Sequence, residues 1–409
     1  MVETRAMRAH RILGEKWNQI ESTKDVFVDI LSRFSAESLQ SYKSVSKYWH
    51  KSISNKEFTN MQLSRSQETP FYIACLQLDT DMVLYLMKPR ETVSHQFVTI
   101  PGSSKGGNLN MVCSFNGLIC CINDPAEDEE DVLLRDLEIR ICNPATGDSL
   151  LLPQGTPSLD KDPSIGVGYG PDISDYKVFR IFCVGMKEPG EYHELEEGDE
   201  VDLDGSSEMY LYECEVYSSS TGSWRGIGQV PRIPMRIFSS THVSTHVFVG
   251  GKIYWLVASK YSDTPGCVLC TDMEGNFKLF RLPDYGVTYH EEEGISPHTF
   301  LINLKGSLCL VVVHLQDLAV WILKEEDGEP DWELEHDIIH CFEVEDVIRA
   351  ATSCGDTLLF VTQDHWYRYD FGLKTWKMES PCVEFFIPIA FPYTESLLPC
   401  NGGVDPGRM

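Results

Sequence analysis

The sequence predicts a mostly β protein, in which a small N-terminal helical module is followed by a β-propeller-like domain of five to six blades. Two observations predict this class. Apolar residues recur at three- and four-residue steps up to about residue 58, whereas after residue 70 apolar runs of five to eight residues alternate with Gly, Pro, Asp and Asn turns. The turns also recur about every 50 residues, which is the spacing of four-stranded propeller blades. With 409 residues, 42% of them hydrophobic, the chain can bury a sizeable core.

The helical pattern occupies residues 25–58. Ser35 is placed to cap the N-terminus of a helix that begins at Ala36. Two short helices cannot hide all of their apolar residues between themselves, so we expect these residues to pack on the rest of the chain or on a partner. The apolar positions with helical spacing are Val26, Phe27, Ile30, Leu31, Phe34, Leu39, Tyr42, Val45, Trp49 and Ile53.

The blade pattern is a strand entered through a glycine turn and followed later by a second turn into an aromatic or apolar strand. We explain the longest interval between turns by an acidic insertion at Glu188–Asp204, which is expected to form a blade loop. A propeller shields its sheet edges only when the ring closes, and the apolar segment Cys382–Phe391 is expected to close it. Successive turns lie 75, 53, 53 and 46 residues apart, at Gly147, Gly222, Gly275, Gly328 and Lys374.

The net charge of 34 − 62 = −28 is concentrated in four stretches without Lys or Arg. We expect acidic surface loops there, and a docking surface for a basic partner is the alternative. The charge argues against nucleic acid or an anionic membrane as a partner, and no apolar run approaches the ~20 residues of a membrane-spanning helix. The stretches hold 6, 9, 3 and 8 acidic residues, at Asp124–Asp131, Glu188–Asp204, Glu291–Glu293 and Glu325–Asp337.

The fourteen cysteines are spread along the chain, mostly inside apolar runs such as GLICC and SLCLV. Free cysteine behaves in such runs as a small buried hydrophobe, so we expect a reducing compartment, the cytoplasm or the nucleus. We also expect residues 1–21 and 396–409 to be flexible, with residues 22–65 forming the helical module and residues 66–395 the propeller.

Motifs of catalytic and metal sites occur only as isolated letters. The G-x-S-x-G match at Gly102–Gly106 lacks the following helix of a nucleophile elbow, and GVGYGP at Gly166–Pro171 lacks the third glycine of a dinucleotide site. The single C-x-x-C at Cys267–Cys270 has no second pair at a zinc-like distance, so we interpret both thiols as core residues. We therefore assign no catalytic residue, no metal ligand and no cofactor.

Residues 25–58 resemble an F-box, the helical module through which such proteins bind a Skp-type adaptor. The resemblance rests on Ile30-Leu31, Phe34, Leu39, Val45-Ser46-Lys47, Trp49, Ile53 and Phe58. The remainder is similar to the kelch-like F-box-associated interaction domain of plant F-box proteins, and the order of motifs is compatible with the S-locus F-box subgroup without singling it out. The motifs are SFNGLICC, ICNPATGDSLLLP, IGVGYGPDISDYKVFRI, CEVYSSSTGSWRGI, HVFVGGKIYWLV and YDFGLKTWKM.

The resemblance implies a non-catalytic substrate-recognition subunit of an SCF-type (Skp–cullin–F-box) ubiquitin ligase. It implies that the ten apolar helical positions bind the adaptor and, through it, a cullin scaffold, while the propeller binds a target protein, for which the acidic stretches favour a basic surface. Trp332 and Trp366 are candidates for target contacts because they lie beside acidic or loop segments. Trp224 and Trp376 are assigned to blade packing. The alternative function is a glycan- or small-molecule-binding propeller with structural helices and no ligase role.

Overall fold

The protein is described by a computed structural model over most of its length. No helix among the described residues is long and apolar enough to cross a lipid bilayer. Residues 1–23, which include the predicted flexible N-terminus, lie outside this part of the chain. The described ranges are 24–78, 81–88, 95–102, 108–124, 138–158, 164–170, 175–188, 209–235, 246–259, 262–284, 298–314, 317–326, 329–338, 348–362, 365–379 and 390–401.

The N-terminal module contains four short helices, and polar residues cap the last three of them. Ser35 caps the second helix as predicted, because its side chain accepts a hydrogen bond from the Ser38 N–H. Ser46 and Asn55 cap the third and fourth helices in the same way. The helices are α1 (Lys24–Leu31), α2 (Ala36–Tyr42), α3 (Lys47–Ile53) and α4 (Lys56–Ser66).

The rest of the described chain forms six four-stranded antiparallel sheets, the blades of a propeller. Blade 1 contains β24 (Ala390–Tyr393), β1 (Phe71–Leu78), β2 (Asp81–Met87) and β3 (His95–Ile100). Blade 2 contains β4 (Asn108–Phe115), β5 (Leu118–Asp124), β6 (Ile139–Asn143) and β7 (Asp148–Leu151). Blade 3 contains β8 (Ser164–Tyr169), β9 (Tyr176–Met186), β10 (Tyr210–Ser218) and β11 (Ser223–Val230).

The other three blades have the same meander. Blade 4 contains β12 (His246–Val249), β13 (Lys252–Ser259), β14 (Ser262–Asp272) and β15 (Phe277–Arg281). Blade 5 contains β16 (His298–Leu304), β17 (Ser307–His314), β18 (Asp317–Glu326) and β19 (Glu329–Ile338). Blade 6 contains β20 (Ala350–Cys354), β21 (Thr357–Val361), β22 (Trp366–Asp370) and β23 (Thr375–Glu379).

The ring is closed by a strand from the C-terminal region, as predicted. Strand β24 pairs with β1 in blade 1, with Phe71 opposite Tyr393 and Ala74 opposite Ala390. Only the last two residues of the predicted closing segment, Ala390 and Phe391, belong to this strand, and residues 382–389 lie outside the described part. The six innermost strands β24, β4, β8, β12, β16 and β20 contact one another in that order around the axis.

The two faces of the ring differ in the length of their connections. Because successive strands of a blade are antiparallel, the first-to-second and third-to-fourth connections lie at one face, and the second-to-third connections and inter-blade links lie at the other. At the first face, β4 and β5 are joined by two residues and β6 and β7 by four, residues 144–147. At the other, β9 and β10 are joined by 23 residues, 187–209, and β5 and β6 by 14, residues 125–138. We call these the helix face and the loop face.

One acidic stretch forms regular structure where the sequence suggested a surface loop. Glu325–Asp337 runs through the end of β18 and most of β19, the outermost strand of blade 5. Glu333, Glu335 and Asp337 are exposed there, so the alternation of acids with Trp332, Leu334 and His336 is the pattern of a half-exposed strand. The predicted turn residue Gly328 and most of the other three stretches lie outside the described residues.

A second correction concerns the C-terminus, for which the sequence suggested flexibility from residue 396. Ser396, Leu397, Leu398 and Cys400 are all buried. They follow the closing strand directly and are covered because two of them are leucines that reach the apolar cores of the helical module and of blades 2 and 3. The folded chain therefore extends to Asn401, and we call Thr394–Asn401 the C-terminal strap.

The cysteines bear out the prediction of free, buried thiols. All twelve cysteines within the described residues are unpaired, and all but Cys75 are buried. Cys267 and Cys270 both lie in the core of blade 4, on β14. This is the environment of small packing residues.

Candidate adaptor and target surfaces

The helical module is seated on the helix face of blade 2. Its apolar core includes two residues from outside the helices, Ala145 in the β6–β7 turn and Leu397 in the C-terminal strap. On α4, Leu63 packs into the core that blades 2 and 3 share. Because the two cores interlock through these residues, the module and the propeller form one packed unit.

The C-terminal strap connects the module to the propeller by hydrogen bonds as well as by apolar contacts. Asn143 Nδ2 donates to the carbonyls of Ser396, at 3.0 Å, and Leu398, at 2.8 Å. The Cys400 N–H donates to Asp148 Oδ2 at 2.8 Å, and the Tyr176 hydroxyl donates to the Cys400 carbonyl at 2.5 Å. These bonds satisfy the buried backbone of the strap, which belongs to no sheet.

The strap also comes into close contact with the β4–β5 turn. Gly117 in this turn has a φ of +82°, and a Cβ atom there would collide with Ser396. Both the backbone conformation and the contact therefore require glycine at this position.

Glu395 joins the strap to α2, since its Oε2 accepts a hydrogen bond of 3.0 Å from the Ala36 N–H. Burial raises the pKa of this carboxyl, nearby Glu37 raises it further, and the Ala36 bond lowers it. A folded-state pKa above the unfolded value means that the ionised carboxylate costs stability at neutral pH, and that this cost disappears as the pH falls below 4.5.

The Glu395→Gln variant should therefore be slightly more stable than the wild type at pH 7. Glutamine keeps the acceptor for Ala36 and removes the half-buried charge. Thermal melting at pH 7 and pH 4 measures the difference, which should shrink at the lower pH. A variant that is less stable than the wild type at pH 7, by a margin that shrinks at pH 4, would show that the charge at this helix start is favourable instead.

The ten predicted adaptor-binding residues divide into two groups in the structure. Phe27, Leu31, Leu39, Trp49 and Ile53 are buried in the core of the module, with Tyr42 packed partly against it. The exposed members are 37–59% accessible, and they are Val26, Ile30, Phe34 and Val45.

The division follows from the geometry of α1. Phe27 and Leu31 are four residues apart and face inward, whereas Val26 and Ile30 are also four apart but lie about 100° further round the helix. The helix is thus apolar on two sides, and only the side with Phe27 and Leu31 packs against other residues of the core. Tyr48, which periodicity did not identify, is also more than a third exposed. Its ring centroid lies 5.3 Å from that of Phe27.

The exposed side of α1 is held in place by a charged residue from α4. Arg65 donates to the Asp29 carbonyl oxygen at 2.6 Å and to the Ser32 hydroxyl, and it forms an ion pair with the Asp29 carboxylate. Arg33, in the turn that follows α1, also contacts this carboxylate, at 3.2 Å. The hydrogen bond from Arg65 lowers the pKa of Asp29. Helix α1 therefore keeps a fixed orientation on the module.

Of the two tryptophans predicted to contact a target, Trp366 is buried, whereas Trp332 is half-buried and stays a prediction. Trp366 is buried between blades 6 and 1, so it is not available at the surface of this structure. The Trp332 indole N–H donates to the Arg281 carbonyl at 3.0 Å, and the ring centroids of Trp332 and Phe280 are 6.2 Å apart. These two contacts join blade 5 to blade 4. Trp224 and Trp376 pack against the blade cores, as assigned from the sequence.

A central cavity of ≈ 180 Å³ lies on the propeller axis between the innermost strands. Its wall is largely apolar, and the ring centroids of Tyr169 and Phe248 are 4.4 Å apart. Polar side chains in the wall include Ser114, His246, Asn303 and Thr352. Cys113 on β4 also lines the cavity, opposite Cys120 in the register of β4 and β5.

The loop face carries exposed apolar residues at strand ends. Met186 ends β9, Tyr210 begins β10 and Leu78 ends β1, and all three are more than 40% exposed. Three of the four acidic stretches fall, in sequence, between strands whose described ends lie at this face. These strand ends and the helical module are therefore on opposite faces of the ring.

Comparison with known proteins agrees with this architecture. Residues 47–362 match the F-box associated beta propeller domain. F-box protein At5g49610 of Arabidopsis thaliana is 24% identical over 392 residues, which cover 92% of this chain and 97% of the relative. F-box protein At5g07610 of the same plant is 21% identical over 394 residues, covering 86% and 84% of the two chains.

Among solved structures, that of YjhT aligns with 76% of this chain and 98% of its own, at 12% identity and a TM-score of 0.37, too low to carry an argument. The domain match spans more than half of the chain, and the two relatives are F-box proteins that align with 86% and 92% of it. The protein therefore belongs to the plant F-box proteins that carry an F-box-associated β-propeller domain.

Proposed function

We propose that this protein is the substrate-recognition subunit of an SCF-type ubiquitin ligase. The exposed residues of the helical module bind a Skp-type adaptor, which carries the cullin scaffold, and the loop face binds the target protein. The observation that carries the proposal is that Val26, Ile30, Phe34 and Val45 remain exposed while the rest of the module is seated on the propeller. Exposed apolar residues on a fixed surface are typical of a protein–protein interface.

In this arrangement the chain itself performs no chemistry. Because the module and the propeller are one packed unit, a bound target is held at a fixed position relative to the adaptor, and hence to the enzyme that carries ubiquitin. The resulting rise in effective concentration of a target lysine is the contribution of the receptor. The free thiols fit a reducing compartment, and we place the complex in the cytoplasm or the nucleus.

The double variant Ile30→Asp, Val45→Asp tests the adaptor surface. Both side chains are exposed, so the protein should fold and melt as the wild type does, while two carboxylates buried in an adaptor interface should weaken binding at least ~100-fold. Binding to a purified Skp-type adaptor by calorimetry measures the effect.

Leu373→Asp with Met378→Asp is the matched control, because these residues of blade 6 are 68% and 63% exposed. This control should bind the adaptor as tightly as the wild type. Equal binding by all three proteins, or a well-folded wild type that does not bind at all, would contradict the proposed adaptor surface. The second result would favour a ligand-binding propeller without a ligase role.

We expect the loop face to recognise a target protein with a basic surface by charge complementarity. Within the connection between β9 and β10, residues 188–204 hold nine acidic residues and no Lys or Arg. We expect target capture by the adaptor-bound complex to fall at least tenfold between 50 and 300 mM salt, because exposed charges are screened. A variant with these nine acids changed to amides should lose the same targets at low salt while still binding the adaptor. Capture that is independent of both changes would exclude a basic target surface.

A further inference from the structure

Three groups meet at the wall of the central cavity in a way that adaptor and target binding do not use. Cys113 on β4 lines the cavity and is 8% exposed, whereas its cross-strand partner Cys120 on β5 is fully buried. His246 lines the cavity from β12, two blades away, and lies beside Cys113. A nucleophilic side chain, a second thiol and an imidazole are thus adjacent at the central cavity.

The hydrogen bonding of His246 fixes the position of its proton. Its Nε2 accepts a hydrogen bond of 2.9 Å from the Val167 N–H of β8, which leaves Nδ1 as the ring nitrogen that carries a hydrogen. Nδ1 is buried and has no hydrogen-bond partner among the described residues. A thiolate or a small polar ligand beside Cys113 would give this donor its missing acceptor.

These neighbours determine which cavity thiol ionises first. Burial alone raises the pKa of Cys113, but its hydrogen bond with Cys120 and the nearby His246 outweigh burial and lower this pKa below the ordinary value. The same hydrogen bond raises the pKa of Cys120. Tyr169, which also faces Cys113, has its pKa raised mainly by burial and stays neutral. The thiolate therefore forms on the residue that lines the cavity.

The size of the cavity limits what can reach this thiolate. Its ≈ 180 Å³ is roughly a dozen times the ~10–15 Å³ that one water molecule needs. Hydrogen peroxide or a small organic hydroperoxide fits, whereas a folded protein reductant does not. No set of three or more Cys, His, Asp or Glu among the described residues is arranged to hold a metal ion, so the pair is available for thiol chemistry.

We propose that Cys113 is a modification site for small hydroperoxides and that Cys120 is its resolving thiol. The Cys113 thiolate attacks the terminal peroxide oxygen, the O–O bond breaks, and Cys113 becomes a sulfenic acid while the peroxide leaves as alkoxide or hydroxide. The Cys120 thiol then attacks the Cys113 sulfur, forms a disulfide and releases water. Overall, two thiols are oxidised and one hydroperoxide is reduced.

The test compares four full-length proteins, wild type, Cys113→Ser, Cys120→Ser and Cys309→Ser, each treated with hydrogen peroxide in the folded state at pH 7. The wild type should lose two hydrogen atoms and yield a peptide in which Cys113 and Cys120 are joined by a disulfide. Cys120→Ser should instead accumulate a sulfenic acid at Cys113, detected as a dimedone adduct. Cys113→Ser should show neither product. Cys309→Ser should behave as the wild type, because burial raises the pKa of Cys309 to about 11.

A second readout follows the role of His246. In wild type and Cys120→Ser, iodoacetamide should label Cys113 at least tenfold faster than Cys309 at pH 7. His246→Gln retains an acceptor for the Val167 N–H and should move the pH midpoint of Cys113 labelling upward. The proposal is overturned if Cys113 reacts no faster than Cys309 in protein whose circular dichroism is native. It is also overturned if peroxide oxidises Cys113 only above the melting temperature.

Discussion

A chain that stops after residue 389 should fail to fold, while a chain that stops after Asn401 should be as stable as the full-length protein. The shorter chain lacks β24, so blade 1 loses its innermost strand and the ring stays open between blades 6 and 1. It also lacks Tyr393, Leu397 and Leu398, each at most 7% exposed. At ~1.5–3 kcal/mol for each large apolar side chain, their burial alone contributes roughly 5–9 kcal/mol, comparable with the ~5–15 kcal/mol stability of a whole domain.

A chain that stops after Thr394 separates the two contributions. It retains the closing strand but lacks most of the C-terminal strap, so the ring should close while the helical module loses Leu397 from its core. We expect a loss of roughly 3–6 kcal/mol from the two leucines and weaker adaptor binding. Circular dichroism melting and limited proteolysis distinguish the three truncations. Native-like melting after residue 389 would show that β24 does not close the ring.

Replacing Glu215 by leucine should cost ~3–5 kcal/mol, because it leaves the Arg180 charge buried and unpaired. The two side chains are 4–5% exposed and are joined by an ion pair of 2.5 Å inside blade 3. Glu215 also accepts from the N–H and the hydroxyl of Thr156, and Arg180 donates to the Thr156 carbonyl at 2.6 Å. The pair thereby fixes the link between blades 2 and 3, where a side chain on Gly155 would collide with Glu215.

The double variant Arg180→Met, Glu215→Leu should be less destabilised than the sum of its single changes, since no buried charge remains. Urea denaturation of the four proteins gives the coupling free energy, which we expect to be at least ~1 kcal/mol. Strictly additive losses would mean that the two charges do not stabilise each other. An exposed pair, Lys324 and Glu333 at 3.8 Å, is the control and should give almost no coupling.

Much of the propeller could be predicted from the sequence because its turns have strong local signatures. The turn type predicted at three places requires a glycine with a positive φ. Gly147, Gly222 and Gly275 all have a positive φ. Strand identity followed from short apolar runs between such turns. The same reasoning described residues 325–337, the end of β18 and most of β19, as a loop. The eight acids of this stretch outweighed an alternation that is visible only when Trp332 and His336 are assigned inward.

The functional surface was less accessible to prediction. Periodicity identified the ten apolar residues of the helices, but it could not separate Val26 and Ile30 from Phe27 and Leu31, because both pairs have helical spacing. What separates them is the tertiary contact with Ala145 and Leu397. The C-terminal strap has no period at all, and its burial depends on Asn143 and Tyr176, more than 200 residues away.

Closure from the C-terminal end has a consequence for synthesis on the ribosome. Ala74 and its partner Ala390 are 390 − 74 = 316 residues apart, so at ~5–20 residues per second the ring waits roughly 15–60 s for its last strand. The apolar core of the helical module is completed later still, when Leu397 has been synthesised. A stalled or prematurely ended chain therefore presents an unseated module and an open ring. Complete translation is thus a precondition for both the closed ring and the packed helical module.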